Sequence, residues 1–165
     1  MKKGGVGGHL TKTGLIFEKV AGSALTITKN NNVLAKNKTL GTLYSKHELY
    51  KLLENKGIDY KIIISKKLLP DVALFLKNSK TFIIFEIKYQ EVEGSTDEKL
   101  QTCDFKIKQY RKLLTNTLGY KVRYVYVLND WFKKECYKDV LDYIKSIPGC
   151  DYIYNKITPE YLNIK

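Results

Sequence analysis

The sequence predicts an α/β fold in which a mixed central β-sheet is flanked by helices. Apolar segments of strand length, rich in β-branched and aromatic residues, recur in the middle and near the end of the chain. Segments whose apolar residues are spaced three and four apart stand between them, as in amphipathic helices. With 165 residues, 44% of them hydrophobic, the chain is long enough to bury a real core. We therefore expect one domain over residues 1–165, with residues 1–12 as a flexible arm rich in glycine and lysine.

The order of the elements follows from these two periodicities and from the residues that begin and end each segment. The predicted elements are a helix at 15–21, a loop or irregular hairpin at 29–42, a helix at 45–57, strands at 58–64, 69–77 and 80–89, a helix at 97–117, a strand at 121–128, a helix at 130–147, a strand at 151–154 and a helical turn at 158–163. No internal repeat and no linker long enough to divide the chain interrupts them.

The ends of the predicted helices carry clear local signals. Ser45 and Glu48 form a capping box at the start of the second helix, and Gly57 can end it. Gly119 ends the long helix that follows the three strands, and Pro148 stops the last helix. These signals separate the helical segments from the strands around them.

The charge balance indicates a polyanion as a partner. Lysine and arginine number 29 against 17 acidic residues, which gives a formal charge of +12 and a pI near 9.4. Such an excess is the electrostatic footprint of a nucleic-acid binder, because attachment to phosphates releases counterions. The same composition also fits a lysine-rich solvated surface encoded by an AT-biased genome, so the charge leaves both interpretations open.

Cysteine and histidine usage argues against a zinc site. Cys103, Cys136 and Cys150 form no Cys-x-x-Cys pair, and only 2 histidines accompany them. Three unpaired cysteines indicate free thiols in a reducing compartment. No apolar run approaches the roughly 18 residues of a membrane span. We therefore expect a soluble cytoplasmic protein with no membrane partner.

The segment 68–88 contains the most informative pattern of the chain. Two apolar strands flank the polar Asn-Ser turn at 78–79, a combination typical of a β-hairpin. An even-numbered turn centred there places Asp71 directly opposite Glu86, with Cβ atoms about 5 Å apart. Lys88 lies two residues beyond Glu86, so strand alternation brings it to the same face. The pattern thus predicts two carboxylates and a lysine at one point of the sheet.

Opposed like charges in an apolar sheet require a cation or a proton to relieve their repulsion. Magnesium, for which manganese can substitute, suits carboxylate oxygens and leaves room for a substrate phosphate. Beside such an ion, Lys88 can orient or deprotonate the attacking water and stabilise charge on the phosphate. The alternative is structural, with Asp71 and Glu86 as strand-edge charges and Lys88 as their salt-bridge partner.

Pro70-Asp71 and Glu86-Ile87-Lys88 resemble the two motif halves of the PD-(D/E)XK nuclease superfamily. The resemblance implies a restriction-endonuclease-like core, in which a mixed sheet with flanking helices carries a site that cuts DNA with magnesium. It further implies that Asp71 and Glu86 bind the metal ion. The Ile87 carbonyl would complete the coordination, and Lys88 would assist the nucleophile.

The resemblance covers residues 12–128 and implies roles for residues outside the two motifs. Glu18 is the candidate for a further acidic metal ligand on the helix before the sheet, and the alternative is a solvated glutamate. The stretch 94–100 resembles the helix entry of restriction-type members, whose free backbone N–H groups can bind phosphate. Predicted DNA contacts are Lys12 in the glycine-rich arm and, around this helix entry, Gln90, Ser95, Lys99 and Gln101. The alternatives are a disordered terminus for the arm, and a helix cap with an exposed charged face for the others.

Two further groups of residues have a structural and a functional interpretation. A basic run on the long helix is either a DNA-binding face or a solvated surface: Lys106, Lys108, Arg111 and Lys112. Three tyrosines are better explained as core residues than as base-stacking groups: Tyr110, Tyr124 and Tyr126.

We expect the chain to be a magnesium-dependent DNA endonuclease, first of all a type II restriction endonuclease. Water activated near Lys88 and the metal ion would attack the scissile phosphate in line and leave a 5′-phosphate. Cleavage of both strands of double-stranded DNA generally requires two active sites, so we expect a homodimer. The alternatives are a structure-selective repair or Holliday-junction nuclease and a non-catalytic nucleic-acid-binding module on the same fold. The intact motif favours an enzyme over the binding module.

Overall fold

The computed structural model describes residue 21 and residues 25–162. Within these residues seven strands form one sheet, and their order across the sheet is their order along the chain. The strands are β1 (Thr26–Ile27), β2 (Asn32–Ala35), β3 (Lys38–Tyr44), β4 (Val72–Leu76), β5 (Thr81–Lys88), β6 (Lys121–Leu128) and β7 (Cys150–Tyr154). The α-helices of this part are α1 (Glu48–Asn55), α2 (Thr96–Leu100), α3 (Cys103–Leu118) and α4 (Lys138–Ser146). The arm predicted at 1–12 lies outside the described residues, as does all but the last residue of the helix predicted at 15–21.

The sheet is mixed and flanked by helices, which confirms the predicted α/β class. Strands β1 to β5 pair antiparallel with their neighbours, whereas β5, β6 and β7 run parallel. The β4–β5 hairpin pairs Val72 with Phe85 and Leu76 with Thr81, which is the register expected from the Asn-Ser turn. Parallel strands need crossover connections, and the segments that contain α3 and α4 supply them.

The sheet divides the hydrophobic core into two clusters. Helices α1, α3 and α4 cover one face, while the cluster on the other face includes residues of β2, β3 and the C-terminal segment. Successive β6 residues alternate between the two: Tyr124 and Tyr126 belong to the helix side, and Val125 and Val127 to the opposite side. The predicted core placement of Tyr110, Tyr124 and Tyr126 is confirmed, since each is at most 2% exposed.

The prediction of a strand at 58–64 is wrong, because this segment contains a 3₁₀ helix at Tyr60–Ile62. The Asp59 carboxylate accepts a hydrogen bond at 3.0 Å from the N–H two residues further on, which offers the backbone a local partner in place of a strand ladder. Tyr60 and Ile64 are buried at a helical interval of four residues. The isoleucine-rich composition favours a strand, but the hydrogen bond to the local carboxylate and the tertiary packing favour the 3₁₀ helix.

The strand that pairs with β4 on its outer side is β3, which lies earlier in the chain than the strand predicted at 58–64. Residues 29–42, expected to form a loop or an irregular hairpin, contain β2 and most of β3. Their pairing shifts register between Val33 and Leu34, which confirms the irregular hairpin. Gly41 in β3 approaches β4 so closely that a Cβ atom would stand 1.9 Å from the Phe75 carbonyl oxygen. The contact between β3 and β4 therefore requires glycine at this position.

The helix predicted at 97–117 is interrupted after its first turn. It divides into α2 and α3, and the Thr102 hydroxyl donates a hydrogen bond to the Lys99 carbonyl at 2.7 Å where the first segment ends. A threonine side chain that bonds to the backbone in this way competes with the helical pattern. The predicted end of the helix is confirmed, since Gly119 caps α3 in the left-handed conformation with φ 69°.

The helix predicted at 130–147 is shorter than expected. Two 3₁₀ helices, at Asp130–Lys133 and Glu135–Tyr137, precede α4 and take up its predicted first half. Phe132 is completely buried there, so packing of this segment outweighs its helical pattern. At 158–163 the described residues form a turn, in which the N–H of Leu162 bonds to the carbonyl of Thr158 at 3.3 Å.

The boundaries of α1 follow the signals in the sequence. Glu48 Oε2 accepts a hydrogen bond from the Ser45 N–H at 2.7 Å, which is one half of the expected capping box. Gly57, with φ 74°, follows the end of the helix. None of the helices in the described part of the chain is long and apolar enough to cross a membrane.

Candidate active site

Asp71 and Glu86 lie at the end of the β4–β5 hairpin that is remote from its turn. Asp71 immediately precedes β4, and one further step of the observed register places it opposite Glu86. Its Oδ2 atom accepts a hydrogen bond from the Ile87 N–H at 2.9 Å. The Asp71 side chain is therefore tied to the strand position next to Glu86, and the fold brings the two carboxylates together.

Two tyrosine hydroxyls hold the segment before Asp71. The Tyr50 hydroxyl in α1 accepts a hydrogen bond from the Leu68 N–H at 2.9 Å and donates one to the Leu68 carbonyl at 2.8 Å. Tyr110 in α3 donates to the same carbonyl at 3.2 Å. Burial and the neighbouring Tyr50 raise the pKa of Tyr110, and the charges of Glu86 and Asp71 raise it further. One buried hydroxyl is thus within electrostatic reach of both carboxylates.

Three donors surround the Glu86 carboxylate. The Lys88 ammonium lies 2.6 Å from Oε1, and the Lys106 ammonium from α3 contacts both oxygens, at 2.8 and 2.9 Å. The hydroxyl of Tyr124 in β6 also donates to Oε2. Burial by itself raises the pKa of Glu86, but hydrogen bonds from Lys106, Lys88 and Tyr124 outweigh it and lower the pKa to about 2. Glu86 is consequently ionised at neutral pH although its side chain is only 16% exposed.

Lys106 is a member of this cluster that the motif does not include. It stands on α3 among the buried residues Cys103, Ile107 and Tyr110, each at most 2% exposed. Lysine is rarely buried without a partner, so a lysine at a core-facing helix position is itself a signal of a charged group on the facing element. Tyr124 carries no such signal, because a tyrosine on an apolar strand is fully explained as a core residue.

The basic run on α3 separates into residues with different surroundings. Lys106 reaches the site, whereas Lys108 pairs with an acidic residue one turn earlier at 2.8 Å. Arg111 donates a hydrogen bond to the Pro148 carbonyl at 2.6 Å and so fastens α3 to the turn before β7. Lys112 is exposed. The run is therefore neither one continuous face nor wholly solvated.

Gln90 is buried two residues beyond Lys88. The Asn129 carboxamide accepts a hydrogen bond from the Gln90 N–H at 3.2 Å and donates one to the Gln90 carbonyl at 2.8 Å. The side-chain oxygen and nitrogen of Gln90 have no hydrogen-bond partner among the described residues. Leaving such a buried amide unpaired costs about 1–3 kcal/mol. The Asn129 contact joins the segments that follow β5 and β6.

The other predicted DNA contacts lie around α2. Ser95 precedes α2 and is exposed, and so is Lys99, whose carbonyl accepts a hydrogen bond from Tyr126 at 3.0 Å. Gln101 lines a surface cavity of about 460 Å³ together with residues of α4 and the 3₁₀ helix before it. Within the described part of the chain, none of these three side chains is hydrogen-bonded to Asp71 or Glu86. Their contact with DNA stays a prediction.

Glu18 and Lys12 lie outside the described residues. The third acidic ligand and the contact from the arm therefore stay predictions as well.

The donor set at the hairpin fits a magnesium ion. The described residues contain no group of three or more His, Cys, Asp or Glu side chains that could hold a metal ion. Magnesium nevertheless binds through one or two carboxylates when a substrate phosphate completes its coordination, and Asp71 and Glu86 are such a pair. Two ammonium groups contact the Glu86 oxygens, so a metal ion bound there would take over contacts that Lys88 and Lys106 now make. The second oxygen of Asp71 accepts no hydrogen bond from the described residues.

Comparison with known proteins gives one distant structural likeness. No protein-family model matches the chain. No curated protein matches it in sequence. Its fold is similar to the crystal structure of an XisH family protein from Nostoc punctiforme PCC 73102, with 15% sequence identity and a TM-score of 0.36, over 68% of this chain and 91% of that chain. A likeness this distant identifies no activity.

Proposed function

We propose that this chain is a magnesium-dependent DNA nuclease. The observation that carries the proposal is the convergence of two carboxylates and two lysines at one end of a β-hairpin: Asp71, Glu86, Lys88 and Lys106. A structural salt bridge accounts for one lysine at Glu86. It does not account for a second lysine from another element, or for a second carboxylate at the opposite strand position.

Each group has a part in phosphodiester hydrolysis. Asp71 and Glu86 would hold the metal ion, with the Ile87 carbonyl as a further ligand. A bound magnesium ion, or manganese in its place, supplies a Lewis acid at the phosphate and makes water more acidic. Lys88 and Lys106 can transfer their hydrogen bonds from Glu86 to phosphate oxygens, where negative charge develops. Lys88 also orients the attacking water, whose in-line attack leaves a 5′-phosphate.

The charge of the chain supports DNA as the substrate, since the formal excess of +12 favours binding to phosphates. One form of the proposal is a type II restriction endonuclease that cuts double-stranded DNA as a homodimer. The other form is a structure-selective nuclease, and it is favoured by the exposed aromatic residues Tyr89 and Phe105, which neighbour Lys88 and Lys106 in the sequence. The free thiols of all three cysteines suit a reducing, cytoplasmic location.

A cleavage assay with matched variants tests the proposal. The protein is incubated with unmethylated plasmid and phage DNA, and with branched and single-stranded oligonucleotides, in magnesium or in EDTA. We expect cleavage in magnesium only, with a loss of rate of about 100-fold or more in Asp71→Asn and Lys88→Ala. Lys106→Ala should lose activity too, whereas Lys108→Ala, exposed one half-turn further along α3, should retain it.

The outcomes separate the candidate functions. Discrete fragments point to sequence-specific restriction, and selective cleavage of branched or unpaired substrates points to the structure-selective form. Cleavage that persists in both Asp71→Asn and Lys88→Ala, with their folding verified by circular dichroism, would contradict the proposed centre. DNA binding without cleavage of any substrate would identify a non-catalytic binding module.

A further inference from the structure

Most exposed large hydrophobic side chains of the described residues are close in sequence to residues of the candidate active site. In the described part of the chain five such side chains are between 43% and 84% exposed: Ile62, Leu69, Tyr89, Val92 and Phe105. All but Ile62 lie within four residues of Asp71, Lys88 or Lys106 in the sequence. We call these four the apolar rim: Leu69, Tyr89, Val92 and Phe105.

The two aromatic members of the apolar rim adjoin the lysines of the site. Tyr89 follows Lys88, and Phe105 precedes Lys106. Both ammonium groups contact Oε1 of Glu86, at 2.6 and 2.8 Å. The side chains of Tyr89 and Phe105 are 69% and 59% exposed. Two exposed aromatic residues are therefore direct chain neighbours of the lysines proposed to bind the scissile phosphate.

Among the described residues, the contacts of these two rings do not explain them as part of the core. The Tyr89 hydroxyl donates to Glu91 Oε1 at 2.5 Å, so its polar end is satisfied while the ring is exposed. Among the described residues, neither Tyr89 nor Phe105 stacks on another aromatic side chain. Scattered exposed apolar residues need no explanation, but a group of them around one site marks an interaction surface.

Positive charge accompanies the apolar rim. Lys66 and Lys67 are exposed and stand immediately before Leu68 and Leu69, in the segment that leads to Asp71. Lysine side chains of this kind bind the phosphates of any DNA strand. Aromatic side chains bind only base faces, which are available when bases are not stacked within a duplex. The combination of lysines and exposed rings therefore fits an unpaired strand better than a continuous duplex.

We infer that the two aromatic residues of the apolar rim, Tyr89 and Phe105, stack against the bases of an unpaired DNA strand next to the scissile phosphate. The inference rests on the proposed nuclease function and adds to it a substrate class, namely single-stranded or locally opened DNA. The lysines bind the backbone of the strand, and Tyr89 and Phe105 bind its bases. Sequence preference is weak in this mode, since every base presents a face to an aromatic ring.

Equilibrium binding in EDTA tests the inference without cleavage. The probes are a labelled oligonucleotide of about 20 nucleotides, its duplex with the complementary strand, and the same oligonucleotide with abasic sites at its centre. We expect the single strand to bind about tenfold or more tightly than the duplex, and the abasic strand to lose this advantage. Tyr89→Ala and Phe105→Ala should each weaken single-strand binding about fivefold to 100-fold and leave duplex binding unchanged.

Conservative and control variants make the result specific to aromatic rings. Tyr89→Trp and Phe105→Tyr should retain single-strand binding, because each keeps an aromatic face. Ile62→Ala removes a side chain that is 84% exposed but cannot stack, and should change nothing. Equal affinity for the three probes, or full affinity in both alanine variants, would overturn the inference.

The apolar rim as an interface between two copies of the chain is the competing explanation. Sedimentation measures the oligomeric state of the wild type and of Tyr89→Ala and Phe105→Ala. If the wild type is a dimer and these variants are monomers with unchanged DNA affinity, the rim is a dimer interface and our inference is overturned. Magnesium-dependent cleavage without ring-dependent binding would contradict base stacking by the apolar rim and support the nuclease function. Ring-dependent binding without any cleavage would support base stacking and contradict the nuclease function, so the two failures are distinguishable.

Discussion

At the scale of residues, Glu86 is ionised because three elements supply donors to it. Lys88 shares its strand, Lys106 belongs to α3 and Tyr124 to β6. Burial opposes the charge, and charge-assisted hydrogen bonds more than offset that penalty. The protonation state of this one carboxylate therefore depends on the docking of α3 and β6 against β5.

The lowered pKa of Glu86 predicts a specific sensitivity to acid. Its folded-state pKa of about 2 lies below the ordinary value of 4.5, so the stabilisation is fully present above about pH 4.5 and is lost as the pH falls towards 2. The pKa difference corresponds to about 3 kcal/mol of unfolding free energy. Urea unfolding of wild type and Glu86→Gln across this range measures it, and their difference in stability should shrink as the pH falls.

Glu54→Gln, at an exposed position of α1, is the control for a general effect of removing a carboxylate. It should follow the wild type throughout. If Glu86→Gln and wild type lose stability in parallel between pH 4.5 and 2, the ion cluster contributes nothing to the fold.

The residues of the site differ in how far the sequence could predict their positions. Asp71, Glu86 and Lys88 are joined by one hairpin, so turn position and strand alternation suffice to bring them together. Their catalytic roles stay predictions. Lys106 reaches Glu86 from α3, and Tyr124 reaches it from β6, which pairs with β5. A lysine among the buried residues of α3 indicates a charged partner, but no local periodicity identifies that partner as Glu86, and Tyr124 carries no signal beyond that of a core residue.

At the scale of elements, the contact between β3 and β4 depends on one glycine. A Cβ atom at Gly41 would stand 1.9 Å from the Phe75 carbonyl oxygen, and the nearest atoms belong to backbone that cannot turn aside. Gly41→Ala must therefore separate β3 from β4 or shift their pairing. We expect a loss of about 3 kcal/mol or more in urea unfolding.

Gly94→Ala is the matched comparison, because a Cβ atom there meets only the Gln90 Nε2 atom, at 3.8 Å. Its stability should stay within about 0.5 kcal/mol of the wild type. A Gly41→Ala protein as stable as Gly94→Ala would refute the close approach of β3 to β4.

The elements divide into those with strong local signals and those without. The strand at Lys121–Leu128 and the hairpin of β4 and β5 have long apolar runs and clear turns, and both are confirmed. The segment 58–64 has the composition of a strand but buries only one side at a helical interval. The strands before it, in 29–42, are short and interrupted by asparagines. Their pairing depends on contacts with the rest of the sheet and is not evident from the local sequence.

At the scale of the whole molecule, the excess of positive charge predicts salt-sensitive binding to DNA. The logarithm of the affinity for a single strand should fall linearly with the logarithm of the salt concentration. Replacing Lys66 and Lys67 by glutamine should reduce the slope by about 1.4, since each phosphate contact contributes about 0.7. Fluorescence anisotropy in EDTA over a series of sodium chloride concentrations measures the slope.

Lys77 and Lys80 provide the control pair, because they flank the hairpin turn at the other end of β5 from Glu86. An eight-residue strand separates the two ends by about 24 Å. Their replacement by glutamine should leave the slope unchanged. If both double variants change the slope equally, the positive charge acts as a diffuse field and the DNA strand has no preferred binding path on the surface.

The agreement between strand order and chain order has a consequence for protein synthesis. The sheet can grow in the direction in which the chain leaves the ribosome, and the hairpin with Asp71 and Glu86 is complete once Lys88 has emerged. Lys106 and Tyr124 are translated later. Until then the paired carboxylates have Lys88 as their neighbouring cation on the hairpin, and their mutual repulsion opposes closure of the strands. The site thus acquires its other two donors, Lys106 and Tyr124, only after the hairpin has emerged, which couples maturation of the site to translation through β6.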